Sequence, residues 1–484
     1  MKKFYLLGIN DLLSFINIVV FFLMLYVLMF ESDIKNNPYV DRLSLILGLL
    51  LTIQTQFFLY IEKSNSDPFV LVLCYITTVY YSFRIYTVTF FPYSIVFDRI
   101  GASTADDSNF ALLVIIAANA FIASGLFSCK LGSRGAIDAS NYRPAQPKIP
   151  IVFLYIIAIL SSLNVLAPID GSSRIINLLL VFCAPINIFI VVATYVFIYR
   201  VKIKLFYKIN LFIVALILIL LQTLGGSRSS LLSYCNILFF LVIVINKNYK
   251  VKAINVIFIS VLIPVIINIL TIVFISTTIL RANLDGGANN YSTSQKFSKF
   301  VEIVQSDEVE DRKEEALNLL FARLGFFDFT SEIIAHKEIY EELFTPLSYV
   351  KSIADNLLTP GFDIFDYPKI GNGLSQIYRG GGRLSKSNIE SYQSDQVSLI
   401  AEIFSFCGYW AFIFLFLLGR LFKILYSRSE NIAPFNIGLR RIFLVIVFYS
   451  LLISFGFDWV LLEAVVFLVT IAIAKFFFRE IKIN

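Results

Sequence analysis

Apolar runs of membrane-spanning length alternate with short polar connections along most of the chain. A helix needs about 20 apolar residues to cross a hydrocarbon core roughly 30 Å thick. About twelve runs reach or approach that length, which predicts an all-α fold, a polytopic integral membrane bundle of about twelve transmembrane helices. The runs cover residues 12–30, 43–61, 69–91, 110–129, 151–167, 175–199, 209–224, 230–245, 253–280, 397–418, 442–457 and 460–477.

Lysine and arginine concentrate in every second connection, starting from the N-terminus. Because positive residues favour the cytoplasmic side, the alternation predicts an even number of spans with both termini in the cytoplasm. The first run is too long for the core of a cleavable signal peptide, and no small-residue cleavage site follows it, so it is predicted to span. The basic connections contain Lys130, Arg134, Arg143 and Lys148; Arg200, Lys202, Lys204 and Lys208; Lys247, Lys250 and Lys252; and Arg420, Lys423, Arg428, Arg440 and Arg441.

One connection is far longer than the others. Residues 281–396 are largely polar, and their position after the ninth predicted span places them outside the cytoplasm as a large periplasmic loop. The charged, periodic stretch 296–343 predicts two or three helices within it. A structured loop of about 115 residues usually carries function. The chain therefore divides into a membrane region (1–280), the loop (281–396) and a second membrane region with a cytoplasmic tail (397–484).

Composition agrees with a membrane protein and narrows the chemistry. Hydrophobic residues make up 58% of the chain and charged residues 15%, whereas soluble domains are nearer a quarter charged. The net charge of +6 arises at cytoplasmic membrane edges, so it does not predict a nucleic-acid partner. The five cysteines lie within or at the ends of apolar runs, which predicts neither disulfides nor a metal site. No nucleotide-binding or metalloprotease motif occurs, and we expect no cofactor.

The turn at residues 225–230, Gly-Gly-Ser-Arg-Ser-Ser, joins two predicted spans at the outer face. Its Ser229 and Ser230 can cap the following helix, and free N–H groups beside hydroxyls and Arg228 suit a phosphate group. The alternative is a plain capped turn whose arginine extends to the membrane surface.

Several ionisable residues fall in the outer half of predicted spans. Charges at membrane depth are costly and usually line a water-filled cavity or pair with each other. They predict a shared cavity in the outer leaflet, although one or two can instead be interfacial side chains reaching water. The residues are Arg84, Asp395, Glu402, Asp458 and Glu463.

Within the large loop, Arg323 and Asp328 form either part of a site or an ordinary ion pair at a helix end. Arg379 and Arg383 flank three glycines and can clamp a diphosphate or simply form an exposed loop tip. His336 is the single histidine, and its surroundings favour a solvated helix face over a catalytic role.

Taken together, the layout resembles the O-antigen polymerase (Wzy) family of bacterial oligosaccharide repeat-unit polymerases. The resemblance covers nearly the whole chain in architecture, and three short segments add to it. These are the Gly-Ser-Arg-Ser turn at 226–229, the Arg-Leu-Gly-Phe-Phe-Asp segment at 323–328, and the segment from Ser394 and Asp395 through Glu402 to Gly408.

The resemblance implies a glycosyltransferase in the bacterial inner membrane that joins oligosaccharide repeat units carried on undecaprenyl diphosphate. Its partners would be the lipid-linked oligosaccharide, the bilayer and a chain-length regulator protein. Asp328, Glu402 and His336, in falling order, are candidates for the general base. The candidate diphosphate-binding residues are Arg228, Arg323, Arg379, Arg383, Arg84, Ser227 and Ser229.

Three other functions remain open on the sequence. An O-antigen ligase shares the donor and the layout but transfers the glycan to the lipid A core. A lipid-linked oligosaccharide flippase, or another transporter, would also have about twelve spans, but its charges are expected to continue across the midplane. A structural protein of the assembly complex is the third possibility.

Overall fold

The computed structural model describes fifteen segments and four isolated positions. They are residues 6–30, 37–62, 67–90, 104–129, 142–166, 184–199, 205–224, 228–245, 251–252, 293–306, 326–341, 343–358, 398–427, 434–453 and 459–482, with positions 272, 276, 373 and 377. Helices account for nearly all of this part of the chain, as the apolar pattern predicted.

The helices from the first membrane region and the loop follow in chain order. They are α1 (Ile9–Phe30), α2 (Arg42–Ile61), α3 (Pro68–Ile76), α4 (Phe83–Phe90), α5 (Ala105–Phe127), α6 (Ile151–Leu166), α7 (Pro185–Ile198), α8 (Leu205–Leu224), α9 (Arg228–Ile245), α10 (Thr293–Gln305), α11 (Phe326–Ala335) and α12 (Pro346–Leu358). The second membrane region contributes α13 (Leu399–Cys407), α14 (Ala411–Ser427), α15 (Pro434–Ile453) and α16 (Trp459–Phe477).

Six of the described segments are long and apolar enough to cross a membrane. They are Ile9–Phe30, Arg42–Ile61, Pro68–Thr89, Ala105–Phe127, Leu399–Ser427 and Pro434–Ile453. Shorter apolar helices lie within five other predicted runs. The all-helical membrane bundle is therefore confirmed in outline, while the count of about twelve stays a prediction. The predicted run 253–280 lies almost entirely outside the described residues.

The third predicted span contains a π-helical turn, Thr77–Ser82, between α3 and α4. Asp67 caps the start of α3 by accepting a hydrogen bond from the Phe69 N–H, and Pro68 occupies the first helical position. A π turn adds a residue to the helical repeat and so rotates the side chains that follow. Arg84 comes two residues after this turn and is completely buried.

The tenth predicted span, 397–418, differs from a single continuous helix. It is divided into α13 and α14 by a 3₁₀ turn, Gly408–Trp410. Gly408 has φ +58°, a backbone conformation that favours glycine because it has no Cβ. The segment Leu399–Ser427 is still one candidate span, and the break within it was not predicted because the apolar pattern continues through it.

Helices α5 and α14 approach each other through glycines. A Cβ added at Gly125 would collide with the backbone carbonyl oxygen of Phe416, and one added at Gly419 would meet the backbone of Ile122. Small residues at such contacts allow close packing of helix backbones in membranes. Phe121 stacks on Phe412 along the same pair of helices, with 5.4 Å between the ring centroids.

Two short antiparallel strand pairs lie beside helix ends. The pairs are β1 (Leu6–Leu7) with β3 (Val251–Lys252), and β2 (Tyr142–Pro147) with β4 (Phe478–Lys482). We call the end of the bundle with these pairs the β end and the opposite end the loop end. Paired strands lie on one side of a bilayer, so the pairing agrees with the predicted grouping of these four segments. Which side faces the cytoplasm remains a prediction.

Candidate functional site

Helix α11, from the predicted large loop, is packed among helices of the membrane region. It contacts α5, the π-helical turn and α13. Phe327, Ile333 and Ile334 are buried, as are the polar Thr330 and Glu332. A loop helix surrounded by water would expose its polar side chains. This part of the loop therefore forms an integral layer of the bundle at its loop end.

Arg84 and Asp328 form a bidentate ion pair that ties α4 to α11. The Arg84 Nη2 lies 2.6 Å from Asp328 Oδ2, and Nε donates to Oδ1 over 3.1 Å. Arg84 is fully buried, and the Asp328 side chain is 4% exposed. Parallel N–H···O bonds of this kind are among the stronger side-chain contacts and also fix orientation. The pair therefore sets both the depth and the rotation of α11.

Glu402 lies on the face of α13 that is directed at α11. Its neighbours on that face are Ser398 and Ser405, at helical spacings of four and three residues. The Ser398 and Thr330 hydroxyl oxygens lie 2.7 Å apart in a hydrogen bond, and the Ser405 hydroxyl donates to the Ile333 carbonyl oxygen over 3.3 Å. Glu402 is 1% exposed, so it is buried on the side of α13 that contacts α11.

Three ionisable residues follow one another at intervals of four positions, two of them in α11 and the third just after it. Asp328, Glu332 and His336 therefore share one side of the helix. The Tyr340 hydroxyl donates to Glu332 Oε1 over 3.3 Å. Sequence reasoning singled out Asp328 and His336 but missed Glu332, although the i, i+4, i+8 spacing was available as a signal.

His336 lies in the turn after α11 and faces carboxylates. Its Nε2 is 3.5 Å from Asp107 Oδ2 and 4.0 Å from Glu332 Oε2, and its Nδ1 is 4.0 Å from Glu338 Oε1. The side chain is partly exposed and lies just beyond the helix, so the choice between a solvated position and a catalytic role stays a prediction. Asp107 lies in the first turn of α5 and was not singled out from the sequence.

The structure thus gathers four of the predicted site residues around one loop helix: Arg84, Asp328, Glu402 and His336. Four others, Ser227, Arg323, Arg379 and Arg383, lie outside the described residues, as do Asp395 and Asp458. The side chains of Arg228, Ser229 and Glu463 are likewise outside the described part of the chain.

The predicted hairpin around the Gly-Ser-Arg turn is present as α8 and α9, which pack together. Helix α9 begins at Arg228, so Ser229 and Ser230 lie inside its first turn. The expectation that these serines cap the helix was wrong by two or three positions, since the position before the helix is 227.

A second buried ion pair lies at the β end. Lys423 of α14 pairs with Asp67, the capping residue of α3, and both side chains are buried. Lys423 was predicted only as one of the basic residues of an inner segment, and Asp67 was not singled out.

No known protein family matches this chain, and no curated protein or solved structure is significantly similar to it. The functional argument therefore rests on the residues and their geometry.

Proposed function

We propose that this chain is a lipid-carrier-dependent glycosyltransferase that joins oligosaccharide repeat units linked to undecaprenyl diphosphate at the extracytoplasmic face. The observation that carries the proposal is the burial of α11 among helices of the membrane region, with Asp328 paired to Arg84 and with Glu402 buried on the adjacent helix α13. A lipid-linked substrate needs reactive groups close to its diphosphate. The loop helix α11, which packs among the membrane helices, would place ionisable side chains there.

The reaction breaks the bond between the anomeric carbon and the diphosphate oxygen of the donor and forms a bond to an acceptor hydroxyl oxygen. The hydroxyl proton passes to a base, and undecaprenyl diphosphate leaves with the bond's electron pair. A fixed cation stabilises the negative charge on that leaving group. Arg228 and Arg323, with Arg379 or Arg383, are the proposed cations, and Ser227 and Ser229 are proposed hydrogen-bond donors.

Geometry changes the order of the candidate bases. Both carboxylate oxygens of Asp328 accept hydrogen bonds from Arg84, so we assign this pair to positioning the loop helix. Glu402 becomes the first candidate for the general base. His336, held among three carboxylates, is the second.

Purified protein in liposomes, supplied with lipid-linked repeat units on one side, tests the proposal. Arg228→Ala, Arg323→Ala and Glu402→Gln should each insert normally yet produce no long chains. Arg42→Ala, at an exposed position of α2, is the matched control and should keep the wild-type ladder of chain lengths. A normal ladder in both arginine variants would refute the diphosphate site.

The same preparation separates the competing functions. Elongated product without movement of substrate across the bilayer supports polymerisation. Movement without elongation would instead identify a flippase. Transfer of the glycan to added lipid A core, with no elongation, would identify a ligase.

A further inference from the structure

In the first half of helix α12 (Pro346–Leu358), also from the large loop, apolar side chains face outward and serines face inward. Leu347 is 62% exposed and Val350 is 60% exposed, whereas Ser348 and Ser352 are buried. Positions 348 and 352 lie on one side of a helix, and positions 347 and 350 lie on the other. The apolar side therefore points away from the protein and the serine side points into it.

Another loop helix, α10 (Thr293–Gln305), has the ordinary arrangement. Phe300 and Ile303 are buried, and Ser298 and Glu302 are exposed. Val301 and Val304 on its outer surface are exposed, at 36% and 39%, but they are interspersed with polar side chains. The outer surface of α10 is thus suited to contact with water. The two helices belong to the same predicted loop but expose different kinds of side chain.

We propose that α12 lies in the outer leaflet of the bilayer, with Leu347 and Val350 in contact with lipid acyl chains. Apolar side chains facing outward and polar ones facing inward are the distribution expected where the surrounding medium is hydrocarbon. The proposal concerns the bilayer as partner and does not depend on the glycosyltransferase assignment.

Helix α12 lies beside the exposed aromatic surface of a predicted span. Tyr349, on a different side of α12 from Leu347 and Val350, makes an edge-to-face contact with Phe406 at the end of α13, with 5.8 Å between the ring centroids. Phe406 is itself exposed, and so are Tyr409 and Trp410 in the following 3₁₀ turn. Tyrosine and tryptophan concentrate at membrane interfaces. α12 also packs against α16, another apolar helix, so bilayer lipid is the occupant that the surroundings favour.

Site-directed labelling of the full chain in liposomes tests the proposal. Single cysteines are introduced as Leu347→Cys, Val350→Cys and, on the water-facing side of α10, Glu302→Cys, after the five native cysteines have been replaced. A charged, membrane-impermeant maleimide should label positions 347 and 350 on the order of tenfold or more slowly than position 302, since hydrocarbon excludes charged reagents. Unfolding the protein in sodium dodecyl sulfate with urea should remove the difference, because it exposes all three positions. Equal rates in liposomes would overturn the proposal.

A second measurement distinguishes lipid from protein around α12. Leu347→Trp, in a chain whose two native tryptophans are replaced by phenylalanine, should be quenched by phospholipids brominated on their acyl chains. Leu50→Trp in α2, where the leucine is exposed on a predicted span, is the positive control. Quenching at position 50 but not at 347 would overturn the proposal. So would disulfide crosslinking of Leu347→Cys between two chains, because it would identify a second copy as the occupant.

Discussion

The third predicted span carries a buried ion pair near each of its ends, and the two pairs differ in what they hold together. Asp67, at the β end, pairs with Lys423, and Arg84, at the loop end, pairs with Asp328. Seventeen residues separate Asp67 from Arg84, which corresponds to about 25 Å along a helix. Each pair joins residues that are hundreds of positions apart in the sequence.

The pair at the β end is built into helix termini. The Asp67 carboxylate also accepts from the Phe69 N–H, and the Asp67 N–H donates to Glu62 Oε2 over 3.1 Å. The Asn10 side chain donates to the Glu62 carbonyl oxygen over 3.3 Å. These bonds connect the ends of α1, α2 and α3 with α14. The Lys423 pair therefore fixes spanning helices to each other.

The pair at the loop end fixes a segment from outside the membrane region. Asp328 is carried by α11, and the same helix presents Glu332 toward Tyr340 and leads to His336. Glu402 faces α11 from α13. At the β end the ionisable groups, Glu62 included, are tied to the backbone of helix termini, whereas at the loop end they lie on and around a helix of the predicted loop. The proposed function uses the second arrangement.

Arg84→Ala is expected to have the largest effect. It leaves the Asp328 carboxylate buried without its guanidinium, which lowers the free energy of unfolding by about 3–5 kcal/mol, and product should disappear. Thermal unfolding in detergent and the product ladder measure the two losses, with Arg42→Ala as the control. The double variant Arg84→Met with Asp328→Leu should recover stability but not product. Recovery of product would show that the loop-end pair is only architectural.

Lys423→Met should destabilise by about 3 kcal/mol, because Asp67 keeps its backbone hydrogen bond but loses its cation. Adding Asp67→Asn removes the isolated charge and retains a good helix cap. The double variant should unfold near the wild-type temperature and make chains of normal length. Normal folding with loss of product would contradict the architectural role assigned to the β-end pair.

Gly125→Ala tests the close spacing between α5 and α14. Helix α5 also packs against α11, and α14 carries Lys423. The new methyl group would overlap the Phe416 carbonyl oxygen, and overpacking of this kind costs about 1–3 kcal/mol. Gly48→Ala is the matched control, since the nearest atoms there belong to the side chains of Met24 and Ile85, which can move. An equal change in unfolding temperature for both variants would refute a specific α5–α14 contact.

Asp41→Asn gives the smallest expected effect. Asp41 caps α2 as Asp67 caps α3, but its carboxylate is held by Ser44 and Asn109, whereas that of Asp67 pairs with Lys423. Burial raises the pKa of the Asp41 carboxyl, but hydrogen bonds from Ser44 and Asn109 outweigh it and hold the pKa below its ordinary value of 3.8. The resulting stabilisation is present above about pH 4 and is lost as pH falls through the lowered pKa. Acid unfolding should therefore be less steep in Asp41→Asn than in the wild type. Identical profiles would exclude the contribution.

Local patterns account for the helices that were predicted correctly. The runs at 43–61, 151–167 and 209–224 correspond closely to α2, α6 and α8, because apolar length alone specifies a span. The π-helical turn and the break at Gly408 were missed, since both occur where the apolar pattern is uninterrupted. Among the site residues, Arg84 and Glu402 were identifiable because charge at membrane depth is costly.

The sequence by itself determined that this protein is a helical membrane protein with ionisable residues in its predicted spans, because hydrophobic length and charge are local properties. Only the tertiary structure decided that α11 packs among the helices of the bundle and that Asp328 meets Arg84 across 244 positions. It also decided that Asp67 and Lys423 pair across 356 positions. Such contacts depend on how helices pack, and no local pattern of residues specifies that packing.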